Sequence, residues 1–328
     1  MTSSFPKSQE VLFGAGRQLC RFVAEATDNK FQIQANAAGD LATSRQALDV
    51  VKSGAVECAH TPLAFHVNKD MTLGLGTGLP FGPSARYQQA WWLFGGGADI
   101  VNAALRRLGA YGIPAGLTGA QMGGWFKREI DSLDDLKGLR FRVSGLGAPI
   151  FARIGAVPVD IAHSDVIAAL ESNAIDGAEF LCPHDDDRLG LAKAAKYNYG
   201  PCWWESAGMV HLVVNLEKWN ALPAAYRAAL MRACDAVNMR MLAKYDFLNP
   251  PALKRLISAG AVIRQFPQPL LEACHRASVE HFGEIAAKDV PFKRGIESVA
   301  TFLRERLPWL EASDHAFDSF QIAINSRA

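Results

Sequence analysis

The ten residues ESNAIDGAEF, 171–180, end a helix-like run at Asn173, enter a short apolar strand and close on an acid, Glu179. A carboxylate delivered there can hold a cation, take a proton or simply face water. Upstream, LRFRVSG carries Arg140 and Arg142, which alternation places on one strand face. A guanidinium offers two parallel, charge-assisted donors that match both oxygens of a carboxylate. A surface arginine on an edge strand is the plainer reading, and the residues alone do not choose. His184-Asp185-Asp186-Asp187 has metal-ligating residue types, but three successive acids point in different directions. Cys182 beside His184 lacks a third group to orient the two as nucleophile and base.

The unit that ends in Glu179 occurs twice. QALDVVKSGAVECAHT, 46–61, aligns without a gap with DVIAALESNAIDGAEF, 165–180, and both read helix, Ser-Gly or Ser-Asn cap, strand. Three of the sixteen positions are identical, so the shared grammar carries the argument. RQLCRFVAEA has helical spacing, and FQIQANA from Phe31 alternates as a strand. Helices are predicted at SARYQQAWWLF and 98–108, then a strand over 121–126 and a short helix opened by Ser132. Strands LRFRVS and VPVDI flank a helix, GAPIFARIGA; a strand over 210–215 precedes a helix from Pro223 to about Asn249. Asn249-Pro250-Pro251 should break that helix. GAVIRQF is a late strand, and the remainder is helical.

This pattern predicts an α/β protein of two lobes joined by crossing strands at 121–126 and 210–215. The first lobe is expected to comprise 1–121 and 216–250, the second 122–215, with a C-terminal helical segment, 251–328, packed across both. Ligands of open α/β sheets gather beyond the carboxyl ends of strands. That places His60-Thr61 and Glu179-Phe180 on opposite sides of a shared cleft.

At 328 residues the chain suits two domains. Its 34 Lys and Arg against 33 Asp and Glu supply no net field for nucleic acid or an anionic membrane. No run of about 18 apolar residues is present to span a bilayer. MTSSFPKS lacks the basic and apolar regions of a secretory signal, which leaves a cytoplasmic protein or one whose leader has been removed. The six cysteines carry no CxxC and read as buried free thiols, with a Cys182 to Cys202 bridge the alternative.

The runs FPKSQEVLFGAG, GLPFGPSARYQQAWWLFGGG, TGAQMGGWFKREIDSLDDLKGLRFRVSGLG, AKAAKYNYGPCWWE and NLEKWNALP, together with both copies of the repeated unit, resemble the extracytoplasmic solute receptors of tripartite ATP-independent periplasmic (TRAP) transporters. The resemblance is to the branch that binds 2-oxo and 2-hydroxy carboxylates, and it runs nearly end to end.

That resemblance implies a type II-like, two-lobed periplasmic binding protein that closes on a small organic acid, catalyses nothing, and delivers its cargo to TRAP membrane subunits. Arg142 matches the arginine that clamps the ligand carboxylate. Gln121 and Glu179 match positions holding a bridging cation, and oxygen donors without Cys or His suit Na⁺ or Ca²⁺. The carbonyl of Phe180 is a further cation candidate, and the carboxylate of Glu205 is one for the cation or for a ligand hydroxyl. Trp204, Trp91 and Phe13 are expected to wall the pocket, with Trp91 and Phe13 as readily core. Relatives often carry Asn where this chain has Leu117 and usually Trp where it has Phe180, so the ligand is expected to be less polar, differently posed, or other than a simple 2-oxo acid. The 184–187 run becomes a loop into a helix, where acids offset the dipole. A homodimer is implied by a late helix exchanged between protomers. The rival function is a metal-dependent hydrolase or lyase using Glu179 as base.

Overall fold

A computed structural model describes residues 1–162 and 165–326. From the N-terminus run β1 (Thr2–Ser3), α1 (Glu10–Glu25), α2 (Ala47–Lys52), β2 (Cys58–Pro62), α3 (Ala85–Phe94), α4 (Gly97–Arg107) and β3 (Ala110–Leu117). There follow β4 (Trp125–Phe126), β5 (Arg140–Arg142), α5 (Gly147–Arg153), β6 (Val157–Val159), α6 (Val166–Glu171) and β7 (Gly177–Ala178). Short helices α7 (Pro183–Leu189) and α8 (Leu191–Ala194) lead to β8 (Tyr197–Gly200), β9 (Met209–Asn215) and α9 (Leu216–Ala221). The chain ends with α10 (Ala224–Ser258), β10 (Val262–Gln265), α11 (Gln268–Ala286), α12 (Val290–Leu310) and α13 (Ala316–Asn325).

Two sheets form the two lobes. The first has the order β1-β2-β9-β3 and the second β10-β8-β4-β7-β5-β6. Neighbours are parallel except around β9 and β4, each antiparallel to both of its partners. The outward connection, 118–124, leaves β3 for β4, and the return connection, 201–208, leaves β8 for β9.

This topology corrects the expected boundaries. Met209–Asn215 belongs to the first sheet, because every residue of MVHLVVN is buried and such a strand needs cover on both sides. Val262–Gln265 joins the second sheet as an edge strand with its last two residues exposed. Residues 31–37 are also not a ladder strand; their one bridge is Asn36 to Thr2. The place beside β2 is taken by the N-terminus, whose Ser4 amide donates to the His60 carbonyl.

The predicted break at Pro250-Pro251 does not occur: α10 continues for 35 residues through both prolines. Each proline lacks an N–H and costs about 3 kcal/mol in a helix interior. Tertiary packing offsets that cost. Tyr245, Ala252 and Leu256 are buried on either side of the pair, and the Asn249 side chain accepts from the His184 amide of α7. Asn238 of α10 accepts from the Gly116 amide, beside a bulge in β3. The later helices bind both lobes. On the second, Arg153 of α5 pairs with Glu280 and Glu284 of α11; on the first, Trp91 of α3 donates to Ser298 of α12 at 3.0 Å.

The repeat is visible in three dimensions. Helices α2 and α6 have six residues each, at equivalent positions of the two copies. Both copies then turn through a left-handed residue, Gly54 at φ 77° and Asn173 at φ 58°. Asparagine tolerates this conformation better than other non-glycine residues. The second copy therefore breaks its helix at Asn173 and sends the chain into β7 and on to Glu179.

Candidate functional site

Between the lobes lies a cavity of about 50 Å³. Phe5, Leu12, Pro62, Ala64, Phe65 and Thr77 line it from the first lobe; Ser144, Glu179, Phe180 and Leu181 from the second; Thr118, Glu205 and Gly208 from the connections. Drug-sized ligands occupy roughly 300–1,000 Å³, so this space selects something of a few heavy atoms. Ion pairs of Arg45 with Asp160 and of Glu10 with Arg188 also bridge the lobes.

The charged cluster is built by β5, the end of the repeated unit and the two connections. Backbone pairing holds Arg142 beside Glu179: the Glu179 amide donates to the Arg142 carbonyl at 2.9 Å. In return, Arg142 Nη1 donates to the Glu179 carbonyl at 2.9 Å and to its Oε2 at 2.5 Å. Both side chains are largely buried, 6% and 14% exposed. Across the site, Gln121 Nε2 donates to Glu205 Oε1 at 2.9 Å and to Thr118 Oγ1 at 3.1 Å.

Two acids thus share a buried space with one guanidinium. Burial pushes the Glu179 carboxyl up to about 7 although Arg142 opposes the rise, and the neighbouring Glu205 adds to it. Glu205 is raised by burial too, against Gln121 and Arg142. Such an excess of acid calls for a further positive charge. Among the described residues no three His, Cys, Asp or Glu side chains gather as a metal cluster. A cation here would rest on two carboxylates, the Gln121 amide oxygen and backbone oxygen, an all-oxygen set suited to a hard ion. The residues present fit Na⁺ or Ca²⁺.

The sequence reading located Arg142, Gln121, Glu179, Phe180 and Glu205 together, and the structure gathers them. Arg140 lies apart, paired to Asp176 at 2.7 Å near the surface. None of the three aromatic candidates lines the cavity. Trp91 is wholly buried against α12, away from the cavity, because its indole N–H finds Ser298. Phe13 faces a separate groove between α1 and α10, and its neighbour Leu12 lines the cavity. Trp204 packs edge-on to Phe141 and Phe151 in the second lobe.

The first copy also differs from expectation. His60 and Thr61 do not face the cleft; His60 Nε2 meets the Ala115 carbonyl at 2.9 Å and Thr61 Oγ1 meets Ser4 Oγ at 2.6 Å, both fully buried. The cleft is reached one residue later, at Pro62. Leu117 is core, fully buried in β3. All six cysteines are free, so Cys182 and Cys202 are not bridged. Asp185 and Asp186 lie in the first turn of α7, and Asp186 accepts from Trp125 Nε1 and the Leu181 amide. Thr118, Thr77 and Ser144 escaped the sequence reading, since lone hydroxyl residues in loops carry no distinguishing pattern.

Comparison with known proteins agrees with this architecture. Residues 2–289 match the family model described as bacterial extracellular solute-binding protein, family 7. A monocarboxylate 2-oxoacid-binding periplasmic protein of Nostoc sp. is 39% identical over 98% of this chain and 88% of its own. A TRAP transporter solute-binding protein from Bordetella bronchiseptica, a mixed-occupancy dimer with calcium and picolinate bound in one active site, superposes with a TM-score of 0.97 at 38% identity, covering 100% of this chain and 97% of that one. Another, from Pseudoalteromonas atlantica with sodium and pyruvate, gives 0.93 at 31% identity over 97% of each chain. A family match over nearly nine-tenths of the residues, carried on the same two-lobed frame, places this chain in the bacterial extracellular solute-binding protein family 7.

Proposed function

We propose that this protein captures a small monocarboxylate of the 2-oxo acid class together with Na⁺ or Ca²⁺, in the periplasm, and hands it to TRAP membrane subunits. Family 7 proteins are solute receptors and not enzymes, which removes the hydrolase alternative. The observation that carries the ligand class is the buried Arg142 paired to Glu179, which with Glu205 lines a cavity of about 50 Å³. Arg142 supplies the fork for a carboxylate. Gln121, Glu179, Glu205 and the Phe180 carbonyl hold the cation, which relieves the repulsion between the acids and the incoming anion. The apolar wall from Phe5 to Phe65 suits a short hydrocarbon end.

Thermal melts with pyruvate, lactate and larger oxo acids, each with and without chelator, test this reading. A rise in melting temperature with one short 2-oxo acid, lost on chelation or sodium removal, is expected. No rise with any carboxylate in either salt would refute it.

The same reading extends to a homodimer built through the last helix. No residue of α13 is buried, and Trp309, Phe317, Phe320 and Ile322 are exposed there and just before it. Removing residues 311–328 should convert a dimer to a monomer by light scattering; an unchanged mass would place the interface elsewhere.

A further inference from the structure

Thr118 is the first residue after β3, on the outward connection between the lobes, and its side chain is buried. Its hydroxyl makes three contacts. It accepts from the Gly208 amide at 2.8 Å and from Gln121 Nε2 at 3.1 Å, and it donates to the Gly119 carbonyl at 3.1 Å. The Thr118 amide in turn donates to the Gly208 carbonyl at 3.0 Å. One hydroxyl therefore ties the outward connection to the return connection and uses both of its lone pairs and its proton to do so.

The consequence falls on Gln121. Its two amide protons go to Thr118 and to Glu205, which leaves Oε1 as the end directed elsewhere. A flipped amide would set oxygen against the Glu205 carboxylate and against a hydroxyl whose proton is already given to Gly119. The cluster is also packed as tightly as the backbone allows: a Cβ on Gly208 would lie 2.9 Å from both Gln121 Nε2 and Glu205 Oε1.

We infer that Thr118 is a positioning residue for the cation site: it fixes the orientation of the Gln121 amide so that its carbonyl oxygen faces the ion, and locks that amide to the return connection carrying Glu205. This deepens the proposed receptor reading and rests on it. Thr118 itself need not touch the ion. Groups that orient metal ligands typically change affinity about 10- to 100-fold when removed.

The test compares wild type, Thr118→Val and Thr118→Ser. Calcium is titrated calorimetrically at saturating pyruvate, melting temperature is recorded, and exchange of the Gly208 amide is followed by NMR in the ligand-free protein. Thr118→Val should weaken calcium binding about 10- to 100-fold and speed Gly208 exchange, while Thr118→Ser restores both. Should the valine variant fail to fold, Thr118→Ala carries the same expectation. Wild-type calcium affinity in a folded valine or alanine variant, or a serine variant as weak as valine, overturns the inference. Wild-type protein that binds neither calcium nor pyruvate would sink the receptor reading itself, and Gly208 exchange would still report whether the hydroxyl tie exists.

Discussion

The two copies of the helix-turn-strand unit have the same backbone and opposite chemistry. In the first, the strand ends on His60 and Thr61, which turn into the lobe and find neutral partners. In the second, the equivalent positions are Glu179 and Phe180, which line the cleft. Burial acts on both and in opposite senses of charge. It pushes His60 down to about 4, keeping it neutral, and lifts Glu179 to about 7, at the edge of ionisation. One copy is closed to solvent chemistry and the other poised for it. The cleft as a whole follows suit: the first lobe presents an apolar wall, and the second lobe with the connections presents the charges.

Variants on the charged side should have the largest effects. Arg142→Ala removes the carboxylate fork, and truncating one member of a buried charge pair costs about 2–5 kcal/mol, roughly 30- to 4,000-fold in ligand Kd. A carboxylate-induced rise in melting temperature that survives in this variant would break the assignment of recognition to the second lobe.

Next comes pH. A carboxyl raised from 4.5 to about 7 in the folded state stabilises the empty protein at low pH, and that increment is lost as pH climbs between those values. A cation competes with the same proton, so its affinity should rise about tenfold per pH unit below 7 and level off above it. Glu179→Gln should flatten the profile and weaken the cation overall. Calorimetric titrations from pH 5 to 8 read both, and a profile unchanged in the glutamine variant would remove Glu179 from the ion.

His60→Gln sharpens the contrast, because ligand affinity should stay within about twofold while stability changes. His60, His66 and His211 are buried neutral and lowered to about 4, 4 and 3, mainly by burial. Their stabilisation is complete above 6.5 and disappears as pH falls toward those values, so the variant should lose part of that acid dependence in denaturant melts. The smallest effect belongs to the apolar wall. Phe65→Ala should weaken the ligand by roughly 1 kcal/mol, about fivefold, in a competition assay.

Much of this is legible in the sequence. The repeated unit was readable because periodicity and cap chemistry are local, and Gly54 and Asn173 do adopt the same unusual backbone. Gln121, Arg142, Glu179 and Glu205 were readable as a set through the family resemblance. What stayed hidden depended on distant partners. Trp91 and Phe13 have the residue type of a pocket wall, but which way they face is decided by α12 and α10. The two-residue strand at the N-terminus has no periodicity and exists because β2 offers it an edge. The Pro250-Pro251 pair predicts a stop from local propensity alone, and burial of Tyr245, Ala252 and Leu256 overrides it.

That uninterrupted helix is a third tether between the lobes, beside the two short connections, since it starts near the first sheet and feeds the edge of the second. Where it passes through Pro250 and Pro251, the carbonyls of Asp246 and Phe247 lose the i+4 amide donors that an unbroken helical ladder would supply. Any relative movement of the two halves must therefore be accommodated by this helix as well as by the two short connections.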